Sequence, residues 1–205
     1  MSSELNRFDW IAPYYDKIAK LVFGNSISRA QSCHWNLIRP HSYVLILGGG
    51  TGSWLLDFVS VNSSCKLFYV DASMEMINRA KRNCNQAACV TFIHGTERDV
   101  PDIKFDAIIT HFYMDMFSDQ QLDNLITELI GKMNNPALWI VADFEKSKWW
   151  HGLYLRMMYL FFKASKSISN NQLPDWHRIM SSRKFRNNES ESFYGNFIQC
   201  RAYVK

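Results

Sequence analysis

A doubly wound α/β sheet is the fold this sequence predicts, on three observations: an apolar run at 43–47 that ends in glycines, similar short runs spaced along the chain behind it, and helical patterns between them. Tyr43-Val-Leu-Ile-Leu47 shows no polar alternation, the mark of a strand covered on both faces in a parallel sheet. Further runs at 66–70, 89–93, 105–110 and 138–142 are separated by helical patterns at 51–60, 73–83 and 120–133. Strands that alternate with helices wind into a right-handed parallel sheet, and ligands of such sheets lie at the carboxyl ends of the strands.

The flanks read differently. Ahead of the first strand stand two helical patterns, 4–22, broken by Pro13, and 27–38, stopped by Arg39-Pro40; together they predict an N-terminal cap. After 142 comes a long aromatic helix over 148–164, then a polar stretch, then an antiparallel hairpin pairing 184–191 with 196–204 around Tyr194-Gly195. No repeat, low-complexity tract or linker interrupts the chain. It is expected to form one domain over 1–205: a cap at 1–40, a ligand-binding core at 41–145 and a substrate-side helix with hairpin at 146–205.

Composition narrows the function classes. The 205 residues are 47% hydrophobic, enough for a single core, and 15% aromatic, which leaves rings to line a pocket or an interface. The net charge of +4 is scattered rather than gathered into a basic stripe, which argues against a nucleic-acid partner. Five cysteines, an odd number without a CxxC pair, predict free thiols in a reducing compartment. The first ten residues lack a secretory apolar run and no stretch is long enough to span a bilayer, so a cytoplasmic location is expected. The histidines form no HxH or HxxxH pattern with carboxylates, and no metal is expected.

The chemistry centres on Gly48-Gly49-Gly50-Thr51-Gly52. A strand, a glycine turn and a helix make a nucleotide or nucleoside site, because glycines reach positive φ and let a ligand approach backbone amides. The third glycine of this GxGxG stands one place earlier than in the dinucleotide fingerprint, whose last position would be Ser53, and no Lys-Ser or Lys-Thr follows to make a P-loop. Asp71 closes the second strand nineteen residues after Gly52, where a carboxylate can take both hydrogen bonds of a ribose diol. The same Asp can instead cap the following helix; Ser73 is a second candidate for that cap and would free Asp71 for ligand.

Together these motifs resemble the class I S-adenosylmethionine-dependent methyltransferases, in particular those of ubiquinone and menaquinone biosynthesis. The likeness runs from Phe8 to about Phe144. It implies a Rossmann-like, seven-stranded, mostly parallel sheet whose C-terminal hairpin forms an antiparallel edge, with S-adenosyl-L-methionine as cofactor. Phe8-Asp9-x-x-Ala12-x-x-Tyr15-Asp16 is similar to the segment that closes over the cofactor, and Tyr15 holds its motif position. Val44 to Gly52 resembles the first motif, with Gly48, Gly50 and Gly52 at the cofactor. Tyr69-Val-Asp-Ala-Ser-Met-Glu-Met76 resembles the second, which implies Asp71 on the ribose and Ala72 and Met76 beside adenine. His94-Gly-Thr-Glu97 falls where the family has Gly-Asp reaching the adenine amino group, which implies Thr96 and Glu97. Phe105 to His111 resembles the fourth strand, with Thr110 near the cofactor and the substrate pocket beginning at Phe112. The sequence departs from the family at Ile46, where an acidic residue is common, and at Thr96, where an Asp is expected.

Methyl transfer from a sulfonium asks the protein mainly to align the acceptor and make it nucleophilic. His111, at the carboxyl end of the fourth strand, is the first candidate for a general base, with Asp115 placed to orient or replace it. Tyr14 and Tyr15 can set ring faces near the sulfonium or simply pack the N-terminal helix. Asp143, ending the fifth strand, is a candidate for the substrate pocket or a helix cap. Trp149, off the apolar stripe of the aromatic helix, is free to line a pocket or touch a membrane surface with Lys146 and Lys148. The expected reaction is O- or C-methylation of an apolar or aromatic small molecule; a homodimer is compatible with the sequence. The alternatives are a cofactor-binding protein without turnover, motivated by Ile46 and Thr96, and a nicotinamide-dependent oxidoreductase, against which stand Ser53 and the lack of a Tyr-x-x-x-Lys pair.

Overall fold

The computed structural model describes residues 20–152 and 173–205. Seven strands form one sheet: β1 (Tyr43–Leu47), β2 (Lys66–Asp71), β3 (Val90–His94), β4 (Phe105–His111), β5 (Met133–Phe144), β6 (Arg186–Phe193) and β7 (Ile198–Val204). Their order across the sheet is β3-β2-β1-β4-β5-β7-β6. The first five run parallel, and the β6–β7 hairpin completes the edge antiparallel to β5. This is the architecture the sequence predicts, hairpin edge included.

Each face of the sheet carries its own core. Ile46, Tyr69, Ala107, Ile109 and Ala142 meet Ala30 of α1 (Ser26–Gln31), Leu55 and Phe58 of α2 (Leu55–Val61), and Ile77 and Ala80 of α3 (Met74–Asn83). Leu45, Leu47, Ile108, Trp139 and Val141 meet the opposite layer, made by α4 (Asp119–Ile130) and α5 (Trp176–Ser182). Alternate side chains of β1 enter different cores, which is why its sequence is apolar throughout. Two helices start on side-chain caps: Ser73 accepts from the Met76 N–H ahead of α3, and Ser118 with Gln121 forms a capping box ahead of α4.

Three elements differ from expectation. The helix expected over 27–38 is split: α1 ends at Gln31, His34 turns the chain at φ +62°, and a short 3-10 turn follows at Trp35–Leu37. Strand β5 is longer than 138–142, because its first residue pairs with Phe105 and its last two pair with Ile198 and Gln199 of β7. Helix α5 lies in what reads as a polar stretch, with Asp175 capping it and Trp176, Ile179 and Met180 buried. Beyond Gly152, the aromatic helix expected over 148–164 lies outside the described residues, as does the N-terminal helix up to residue 19.

Candidate functional site

The carboxyl ends of β1, β2 and β4 open onto a cavity of about 490 Å³, and α1 closes one side of it. Sheet order explains the place. From β1 the chain proceeds outward to β2 and β3, then returns across β1 to β4, and loops that diverge in this way leave a crevice between them.

The glycine loop forms one wall, and each glycine answers a different demand. Gly48, Gly50 and Gly52 all hold positive φ, between +62° and +65°. At Gly49 a Cβ atom would sit 2.1 Å from Cζ of Tyr69, whose ring lies buried beneath the loop and whose hydroxyl donates to the Gly50 carbonyl at 3.0 Å. Gly50 has nothing within 4 Å of its missing Cβ, so its backbone is bare toward the cavity. Gly52 does not line the cavity; a Cβ there would meet Ala80 of α3 at 2.8 Å, so this glycine serves helix packing rather than ligand. Asn83 ties the far side of the loop by donating to the Thr51 carbonyl at 2.8 Å.

Opposite Gly50 stands Asp71. One carboxylate oxygen accepts from the Gly50 N–H at 2.8 Å and the other from the Ser73 N–H at 2.9 Å, while Ser73 supplies the cap of α3. The Asp71 side chain lines the cavity with Ala72 and Met76. Further along the same wall, Thr96 and Glu97 also line it. The Thr96 side chain is engaged in a capping box with Asp99, and Glu97 accepts from the Tyr113 hydroxyl at 3.3 Å. Burial and the Glu97 carboxylate together hold that phenol in its neutral form. Ile46, at the family's acidic position, is fully buried in the sheet core and offers the cavity nothing.

The other end is aromatic. His111 and Phe112 line the cavity, joined by Trp54, Tyr113, Met116 and Phe117. His111 is 4% exposed, packs edge-on against Trp54 with ring centroids 5.0 Å apart, and has no hydrogen-bond partner at either ring nitrogen. Desolvation lowers its pKa to about 3, so the imidazole is neutral at physiological pH. The Trp54 indole N–H is likewise buried without a partner.

Several expected site residues lie elsewhere. Asp115 does not orient His111: it is buried with Asp143 beside the α4 layer, whereas His111 belongs to the opposite face of the sheet. Asp143 does not reach the cavity either, since its oxygens accept from the backbone N–H groups of Met114, Asp115 and Phe144. Thr110 is fully buried and accepts from the Trp139 indole at 3.0 Å, away from the cavity. Trp149 is 87% exposed and lines no part of it. Tyr14 and Tyr15 lie outside the described residues. Sequence reasoning did not single out Trp54 or the cavity-facing Ile27, Ser28 and Gln31 of α1, with Lys20 and Asn25 ahead of that helix. Trp54 carried a signal, a large aromatic two residues past the loop at the mouth of a helix.

A family model described as a methyltransferase domain matches residues 44–134, which is β1 through the start of β5. No curated protein matches the chain in sequence. Among solved structures, an O-methyltransferase family 2 protein from Planctomyces limnophilus, in complex with apigenin, superposes with a TM-score of 0.70 at 11% identity. That match covers 95% of this chain and 61% of the other, so the chain spans about three fifths of that enzyme's length. Magnesium protoporphyrin IX methyltransferase from Synechocystis PCC 6803, with bound S-adenosylhomocysteine, gives a TM-score of 0.61 at 13% identity, covering 93% of this chain and 83% of the other. A SAM-dependent methyltransferase from Aquifex aeolicus gives 0.61 at 18% identity, covering 92% and 97%. The fold is that of the class I S-adenosylmethionine-dependent methyltransferases. Within this methyltransferase fold, the glycine loop, Asp71 and the aromatic end of the cavity are contiguous features of one crevice. Among the described residues no group of three or more His, Cys, Asp or Glu could hold a metal ion, and no helix is long and apolar enough to cross a membrane.

Proposed function

We propose that this chain binds S-adenosylmethionine and transfers its methyl group to an apolar, ring-bearing small molecule at oxygen or carbon. The observation that carries the reading is one cavity with two unlike ends: a bare glycine backbone with the Asp71 carboxylate at one, and a neutral, unpartnered His111 among aromatic rings at the other. The first end suits the cofactor. Asp71 presents a carboxylate of the kind that takes a ribose diol, Ala72 and Met76 offer apolar contact to adenine, and Gly50 lets the ligand reach backbone. Because the Thr96 side chain is committed to its cap, Glu97 is left as the polar group of that wall for the adenine edge.

When bound, the cofactor supplies an electrophilic methyl group on a sulfonium that departs as a neutral thioether. The chain's part is positional: Trp54, Phe112, Met116 and Phe117 exclude water and hold a flat apolar acceptor, and His111 receives the proton the acceptor gives up. A strongly depressed pKa makes His111 a weak base. It is adequate for a proton that becomes acidic only as the new bond to carbon forms. A hydroxylated ring of the quinol type, which the sequence resemblance suggests, meets these demands.

The test is S-adenosylhomocysteine production with a panel of phenolic and quinol acceptors. His111→Ala is expected to slow turnover by about 10²–10⁴-fold, the usual worth of a general base, while cofactor affinity measured by calorimetry stays within twofold. Cofactor binding without turnover across the panel would instead favour a non-catalytic binding protein, a reading supported by buried Ile46 and the committed Thr96 side chain.

A further inference from the structure

Methyl transfer as proposed uses no cysteine, yet two cysteines meet. Cys33 lies in the turn just after α1, and Cys200 stands on β7, far away in sequence. Their thiols face each other within hydrogen-bonding reach. Both are free, and both belong to the core on the α1 face of the sheet. Sequence makes the approach possible: Ala30 in the last turn of α1 is small and fully buried, so the helix packs closely on β7.

Neither sulfur is left loose. Cys200 is fixed by ladders on both sides, paired with Ala142 of β5 and Glu191 of β6. The Cys33 S–H donates to the Arg29 carbonyl at 3.2 Å, which leaves lone pairs of its sulfur for the Cys200 S–H. The turn around Cys33 is tied down as well. His34 Nδ1 lies 3.2 Å from Oε2 of Glu189 on β6, and the Arg29 guanidinium sits 5.2 Å over the Phe193 ring. Access differs between the two thiols. Cys33 is 9% exposed and Cys200 is closed to solvent, so a small oxidant meets Cys33 first. The neighbouring Cys33 and burial push the Cys200 thiol well above the ordinary thiol range, so Cys200 keeps its proton until a reactive sulfur stands beside it.

We infer that Cys33 and Cys200 are an oxidisable pair, converted by a hydroperoxide into a disulfide that fastens the end of α1 to β7. With hydrogen peroxide, the Cys33 sulfur attacks one oxygen, the O–O bond breaks, and the departing hydroxide takes the thiol proton as water. The Cys200 sulfur then attacks the sulfenic sulfur of Cys33. The S–O bond breaks, and hydroxide leaves with the Cys200 proton as a second water. Two thiols have lost two electrons to one peroxide. Ile27, Ser28 and Gln31 of α1 line the cavity, so the link fixes the wall they form. It also closes a loop that spans most of the chain, and in the chain-entropy model long loops gain the most from closure. In a reducing compartment thiols undo the bond, which makes it a switch rather than a permanent staple.

The experiment exposes the full chain to hydrogen peroxide, blocks the remaining thiols with N-ethylmaleimide in denaturant and maps unreduced peptides by mass spectrometry. A cross-linked peptide joining Cys33 to Cys200 is expected, with Cys65, Cys84 and Cys89 carrying maleimide. The thermal midpoint of the oxidised protein should rise and return to its starting value after dithiothreitol. In Cys200→Ser, peroxide should instead leave a Cys33 sulfenic acid that dimedone captures, without a rise in midpoint. A link between other cysteines, or maleimide on both Cys33 and Cys200 after treatment of the unaltered protein, would overturn the inference and leave the two sulfurs as core packing. No cofactor enters these measurements, so they leave the methyl-transfer reading untouched whichever way they fall.

Discussion

Asp71 is the residue on which the glycine-loop end of the cavity depends, because it acts twice. Its carboxylate fixes the Gly50 N–H, which shapes the loop, and it faces the cavity where a diol would sit. Asp71→Ala is therefore expected to weaken S-adenosylhomocysteine binding by about 1.5–3 kcal/mol, the scale of lost charge-assisted hydrogen bonds, as read by calorimetry. Unchanged affinity would mean that Asp71 serves the loop and α3 only. The glycines separate by cause. Gly49→Ala drives a methyl into the buried Tyr69 ring and should lower stability by about 1–3 kcal/mol in denaturant unfolding. Gly50→Ala meets no atom and should cost about 1–2 kcal/mol through its left-handed backbone alone. From sequence, the glycine loop, Asp71 and His111 were legible as strand-end positions, and such positions converge on one cavity in this fold. The separate duty of Gly52 was not, because it depends on how closely α3 packs.

At the scale of elements, the segment after β4 decides the shape of the aromatic end. Phe112 takes φ +53° and donates its N–H to the Ala142 carbonyl at 2.7 Å, which turns the chain so that Tyr113, Met116 and Phe117 return toward the cavity. Asp143 secures this turn through the N–H groups of Met114 and Asp115. Burial raises the Asp115 pKa to about 7 and, with the neighbouring Asp115 carboxyl, holds Asp143 well above the usual carboxylate range.

A carboxyl whose folded pKa is raised binds more protons in the native state. Its stabilising contribution is complete below the unfolded value near 4 and is lost as pH rises through about 7. His111 acts oppositely: its lowered pKa costs stability as pH falls from 6.5 toward 3. The test is thus a difference. Asp115→Asn should raise the thermal midpoint relative to the parent at pH 8 and shed that gain by pH 5; a pH-independent difference would refute the buried-proton account. The reach of Asp115 toward His111 that a sequence spacing of four residues suggests fails because β4 ends at His111, and the turn delivers the two side chains to opposite faces of the sheet. Helix α5 went unseen because seven residues give the apolar period only one repeat, Trp176 with Ile179 and Met180.

For the whole molecule, sheet order was readable because it follows from alternation and handedness, and the hairpin edge from its turn residues and the family resemblance. The cavity's closure was less so. Side chains of α1 come to the cavity through contacts of that helix with β6 and β7, which are distant in sequence, and no local pattern marks them. On the proposed function the molecule is a binding device whose crevice takes S-adenosylmethionine rather than a nicotinamide dinucleotide, since the third glycine stands one place earlier than in the dinucleotide fingerprint and Ser53 holds the last position. Isothermal titration of the full chain with S-adenosylhomocysteine, and in parallel with NAD, tests it most directly. Saturable one-to-one binding of S-adenosylhomocysteine, lost or much weakened in Asp71→Ala and absent for NAD, is the predicted result; no heat at millimolar S-adenosylhomocysteine, or saturable binding of NAD in its place, would contradict it.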